Sequence, residues 1–132
     1  MKLSGSCEQG IAIILLIAQS KTKALSAKQI SNRLNLSLTY SQKILRKLVV
    51  ANLIKSTPGI NGGFLLANST KKISLLDIIQ AINDDVRNID LPTVDKLNRS
   101  STLAVTKSLK IANLVWRQVL SETYLSDLLD QA

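Results

Sequence analysis

At 132 residues, with 45% hydrophobic side chains and a single cysteine, the chain has material for one domain core and none for an internal disulfide. Its net charge is +8 and it has no histidine, which removes the commonest side chain for proton transfer and metal ligation. Its four aromatic residues, Tyr40, Phe64, Trp116 and Tyr124, are too few for the stacking platforms that hold single-stranded nucleic acid.

The charge is unevenly placed. Residues 1–76 hold 11 Lys/Arg against the single acid Glu8, and residues 77–132 hold 6 against 8 Asp/Glu. A basic first half beside a mildly acidic second half implies a head that binds a polyanion and a tail with another task. The plain alternative is a basic but otherwise ordinary protein. A lone Cys7 fits a reducing cytoplasm. The apolar run from Gly10 to Ala18 is too short to span a bilayer, so no targeting signal, no membrane association and a cytoplasmic location are expected.

In chain order, residues 6–19 predict a helix apolar on nearly all sides, which belongs at the centre of a bundle or dimer. Ser26 and Gln29 have the spacing of a capping box and open a short second helix with Ile30 and Leu34 facing inward. After a tight turn at Asn35-Leu36, Ser37 caps a third helix to about Ala51, with Leu38, Ile44, Leu45 and Leu48 as its apolar positions. Two helices joined so closely, the second polar and basic outside, form a helix-turn-helix. Residues 53–56 and 64–66 read as strands around the turn formers Pro58 to Gly63, a β-hairpin wing. Ser74 and Asp77 repeat the capping spacing before a fourth helix with Leu75, Ile78, Ile79 and Ile82.

The acidic stretch at 84–96 reads as a linker. From 97 to 120 a helical period carries Leu103, Ala104, Leu109, Ala112, Leu114, Val115 and Val119, and Thr123 is expected to cap a last short helix with Leu125, Leu128 and Leu129. The fold class expected is mainly α with a small β-hairpin wing: a winged helix-turn-helix at 1–83, the linker, and a dimerisation unit at 97–132. The long helix has few partners in its own chain, and the same helix of a second copy would bury its apolar stripe.

Taken together, these motifs resemble the Rrf2 family of bacterial winged helix-turn-helix transcription regulators. The resemblance rests on Met1 to Ser4, on Ser37 to Leu48, on Asn61-Gly62-Gly63-Phe64 and on Ile73 to Ile79, and it is dense from residue 1 to about 83. It implies a homodimer that binds double-stranded DNA with its recognition helices in successive major grooves, as a sequence-specific regulator and a repressor, under an unidentified small-molecule or protein effector. It places Thr39, Gln42 and Lys43 at base edges, and Lys28, Ser37, Tyr40, Arg46 and Lys47 at phosphates. Each has a bland alternative: Ser37 a cap, Tyr40 a core contact, Arg46 a solvated charge.

The departures from the family matter as much. Wings of the family carry an arginine before the glycines, where this chain has Pro58, so Lys55 and backbone contact at Asn61 and Gly62 replace it in the expected interface. Cluster-binding members hold iron and sulfur with three cysteines after the fourth helix. This chain has only Cys7, so no iron–sulfur cluster, metal or other cofactor is expected. Cys7 near a helix start suits a redox switch, against the plainer reading of a small semi-buried residue. No nucleophile or acid–base constellation points to an enzyme. The rival that survives is a protein–protein interaction module or anti-regulator reusing a winged head; RNA binding is disfavoured by the aromatic count.

Overall fold

The computed structural model describes residues 3–83 and 99–129, so the linker expected at 84–96 lies outside the described residues. Helix α1 (Gly5–Gln19) starts where the Ser4 hydroxyl accepts the Cys7 amide at 3.2 Å. Its sequence is apolar almost all round, and it touches α2, α3, α4, α6 and the second strand, with Ile13, Ile14 and Ile17 fully buried. This is the central helix of the head.

Helix α2 (Ala27–Leu34) opens on a complete capping box: the Gln29 amide donates to the Ser26 hydroxyl at 3.1 Å, and the Ser26 amide donates to Gln29 Oε1 at 2.9 Å. It stops at Asn35, which takes left-handed backbone angles (φ 54°, ψ 46°) that asparagine tolerates better than most residues. The Leu36 amide then donates back to the Ser31 carbonyl at 2.9 Å, so the turn into the next helix is tight. Helix α3 (Leu38–Val50) is capped by Ser37 and buries Ser41, Ile44, Leu45 and Leu48. Leu38 is an exception to the expected pattern: at 44% exposed it sits at the rim, because the first turn of α3 overhangs the core.

Strands β1 (Ile54–Thr57) and β2 (Gly63–Leu66) pair antiparallel, with Ile54 opposite Leu66 and Thr57 opposite Gly63. Leu25, just before α2, extends this hairpin by exchanging two backbone hydrogen bonds with Phe64, of 2.8 and 3.2 Å. The wing is thereby fastened to the start of the helix-turn-helix. Gly63 makes this approach possible: its φ is +150°, and a Cβ there would lie 2.4 Å from the Leu25 backbone.

Helix α4 (Leu75–Ile82) has the second capping box, between Ser74 and Asp77. Helix α5 (Arg99–Ser121) is the longest element and buries none of its residues fully. One face, with Thr102, Val105, Thr106, Leu109, Asn113, Trp116 and Leu120 at helical spacing, is half-buried, and the helix packs on α4. The opposite face carries Leu103, Ile111, Leu114, Val115 and Val119, all more than half exposed. Ile111 joins this stripe although its place in the period was not singled out.

Helix α6 (Leu125–Leu129) belongs to the head. Leu125 is fully buried in the common core, and residues 123–126 bond to the backbone at 70–75 through Leu75–Thr123, Leu125–Ile73 and Ser126–Thr70 contacts of 2.9 to 3.2 Å. Helix α6, although it follows α5, therefore completes the core of the head. Thr123 does not cap α6 as expected. Its hydroxyl donates back to the Val119 carbonyl of α5 at 2.8 Å, and the start of α6 is instead satisfied by Asp127, whose carboxylate accepts the Tyr124 amide at 2.9 Å.

Candidate nucleic-acid interface

The interface is built on α3. Burying Ser41, Ile44, Leu45 and Leu48 turns one face of this helix into the core, and the opposite face presents Thr39, Gln42, Lys43 and Arg46, all exposed. Their spacing of three and four residues sets them in one stripe along the helix. The two uncharged side chains of the stripe have hydroxyl and amide groups that both donate and accept, and the two cations follow them toward the C-terminal end of the helix. Such a surface offers hydrogen bonds for base edges and charge for phosphates on the same face.

The other residues predicted for α3 are placed differently. The Ser37 hydroxyl accepts the Tyr40 amide at 3.1 Å, so it holds the helix start. Tyr40 is half-buried against the core, and its hydroxyl donates to Ser6 Oγ of α1 at 3.1 Å. The Lys47 ammonium donates to the Ile82 carbonyl at the end of α4, also at 3.1 Å. These two side chains lie on one flank of α3, between the stripe and the core, Tyr40 half-buried and Lys47 exposed. Neither tie was legible in sequence, because the partners are 34 and 35 residues apart.

A second cluster surrounds the wing tip. Lys28 on α2 and Asn61 and Gly62 in the wing line one cleft of about 600 Å3, together with Lys23, Ser26, Gln29, Asn32 and Ile60. The Gly62 amide is already given to the Gly59 carbonyl at 3.0 Å, and the Gly63 amide to the Thr57 hydroxyl at 3.1 Å. The wing loop is thus held by its own hydrogen bonds, and what it offers a polyanion lies at Asn61 and at the facing lysines. Lys23 and Asn32 were missed in sequence; only the wing, folding back beside α2, brings them to the cleft. Lys55 is exposed on β1.

Cys7 is 1% exposed and belongs to the core, the surroundings of a packed thiol more than of an accessible one. The plainer reading, a small residue packed in the first turn of α1, fits its position.

A helix-turn-helix with an exposed polar and basic second helix, followed by a hairpin wing, defines the winged helix-turn-helix class. The chain belongs to the Rrf2 family: the family model, described as an iron-dependent transcriptional regulator, matches residues 3–131. It is 40% identical over 83 residues to the HTH-type transcriptional regulator YffB of Lactococcus lactis, a stretch that covers 62% of this chain and 53% of that protein. It is 33% identical over 110 residues to the HTH-type transcriptional regulator BadM of Rhodopseudomonas palustris, covering 83% of this chain and 69% of the relative. Among solved structures, CymR, the global cysteine regulator of B. subtilis, superimposes with a TM-score of 0.81 at 25% identity, over 100% of this chain and 98% of that one. The matched stretch spans about half the length of YffB. The winged fold with its long C-terminal helix is that of the family, and the family's business is regulation rather than catalysis.

The family's description names iron, and this chain lacks the several thiolates that an iron–sulfur cluster needs. Iron–sulfur clusters are held mainly by several thiolates, whereas the sequence has one cysteine, buried in the head, and no histidine. Among the described residues no three His, Cys, Asp or Glu side chains gather as metal ligands. Among them, too, no helix is long and apolar enough to cross a membrane.

Proposed function

We propose that the protein is a sequence-specific regulator that binds double-stranded DNA as a homodimer in the cytoplasm, without a cluster or other cofactor. The observation that carries this reading is the exposed stripe of Thr39, Gln42, Lys43 and Arg46 on a helix whose other face is locked into the core. Thr39 and Gln42, nearer the N-terminal end of the recognition helix, read base edges; Lys43, which the family resemblance sets at a base edge, is assigned here to a phosphate together with Arg46. The wing cleft, with Lys23, Lys28 and Asn61, grips the backbone beside the major groove, and Lys55 adds charge along the wing.

The dimer is the second part of the proposal. Leu103, Ile111, Leu114, Val115 and Val119 form an apolar stripe along α5 that is more than half exposed among the described residues. A second copy packed through the same stripe would bury it and place two recognition helices on one side of the assembly. Such a dimer acts as a repressor by covering a promoter site, with its occupancy set by an effector of a chemistry the sequence does not name.

Binding of the full chain to random duplex DNA and to sites selected from random sequence, over a salt series, tests the proposal. A steep inverse dependence on salt and a two-fold symmetric selected site are expected. Salt-independent binding, or none, would move the interaction-module reading ahead.

A further inference from the structure

Helix α4 has Asp77 in its first turn and no basic residue in its last. Its terminal carbonyls, the negative end of the helix dipole, therefore receive no cation from their own helix. Lys47 supplies one from α3, donating from Nζ to the carbonyl of Ile82, the last residue of α4. The same Ile82 is 4% exposed, and its side chain presses on α1: a Cβ on Gly10 would stand 2.8 Å from Ile82 Cγ1 and 3.8 Å from Ile44 Cγ2 of α3. Ile82 is thus held by its side chain between α1 and α3 and by its carbonyl from Lys47.

Tyr40 and Lys47 stand about two helical turns apart on one flank of α3. The first ties the start of the recognition helix to Ser6 of α1, and the second ties its last turn to α4. Together with the buried Ser41, Ile44, Leu45 and Leu48, they set how α3 is seated, and with it where Thr39 and Gln42 point. Helix α4 also packs against α5, so the Lys47 contact joins the recognition helix to the layer that carries the dimer stripe.

We infer that Lys47 is a positioning residue for DNA recognition: its ammonium seats α3 against the end of α4 instead of neutralising a phosphate. The inference rests on the DNA-binding reading above. A tilt of α3 displaces both base-reading side chains together, so its cost falls on the preferred site more than on random DNA.

The test compares Lys47→Met, which keeps the aliphatic stem and removes the charge, with Lys47→Arg, which keeps cation and donors, and with Lys43→Met. Affinities of the dimeric proteins for a selected site and a random duplex are measured by anisotropy over a salt series. Lys43→Met should make the slope of log affinity against log salt shallower by about one unit on both DNAs. Lys47→Met should leave the slope unchanged and weaken the selected site by roughly 3–10-fold, the size of one lost hydrogen bond. Its loss on random DNA should be smaller, and Lys47→Arg should restore most of the affinity. If Lys47→Met is poorly folded, the milder Lys47→Gln carries the same comparison. A slope reduced as in Lys43→Met, or a variant indistinguishable from wild type on both DNAs, overturns the inference while leaving DNA binding intact. Wild-type protein that binds neither DNA overturns both.

Discussion

In the head, Ile13, Ile14, Ile30, Leu48, Ile73, Ile78 and Leu125 are all 0% exposed, while along α5 Leu103 and Leu114 remain 60% and 67% exposed and no residue is buried. Both regions are rich in aliphatic side chains with helical spacing. The head satisfies them within one chain because four helices and the hairpin pack around α1. Among the described residues, the single long helix lying on α4 has one half-buried face, and its other face stays exposed. The contrast teaches that stability and assembly reside in different parts of the molecule. Substitutions in the two regions should therefore separate by readout.

The largest effect is expected at Leu125. Truncation to alanine removes a fully buried side chain from a core that cannot easily collapse around it, and should cost about 2–5 kcal/mol in chemical denaturation. A loss well below 1 kcal/mol would mean that α6 is merely appended to the head and not part of its core. Next comes the arm. Leu114→Asp together with Val119→Asp places charges in the proposed dimer stripe and should weaken self-association by roughly a hundredfold or more. Sedimentation at micromolar concentration should then show one chain mass instead of two. Wild-type protein that is already a monomer there would dissolve the contrast between the regions.

A smaller effect is expected at the second capping box. Ser74→Ala removes the hydroxyl that accepts the Asp77 amide and should cost about 0.5–2 kcal/mol of head stability, with the dimer mass unchanged. Loss of dimer at equal stability would place Ser74 in the assembly, against the division drawn here.

How much of this was legible beforehand follows the distance over which each interaction acts. The capping boxes at Ser26–Gln29 and Ser74–Asp77 were readable because both partners lie within one turn. The recognition helix is readable from an apolar period at Leu38, Ile44, Leu45 and Leu48 that leaves Thr39, Tyr40, Gln42, Lys43, Arg46 and Lys47 to the other faces, without separating the stripe from Tyr40 and Lys47. The ties of Tyr40 to Ser6 and Lys47 to Ile82 were not, since sequence spacing says nothing about which carbonyl or hydroxyl a flexible polar tip meets. Leu125 looked like part of the tail because α6 is five residues long and its period is too short to show what it faces. Its role in the core depends on the backbone bridge between Ser74 and Tyr124. Cys7 can be argued either way from its place near a helix start, and its burial, which favours the packing reading, comes from long-range contacts that spacing does not show.

The central claim is that the outer stripe of α3 reads DNA sequence, and Gln42→Ala tests it most directly. The measurement is the ratio of affinities for the selected site and for random duplex, taken at one salt concentration with the dimer intact. Removing the Gln42 amide should cost about 1–3 kcal/mol on the selected site and leave random binding nearly unchanged, so the ratio falls by roughly 5–150-fold. An unchanged ratio, with both affinities kept or both lowered together, would contradict the account, because the stripe would then carry no sequence information.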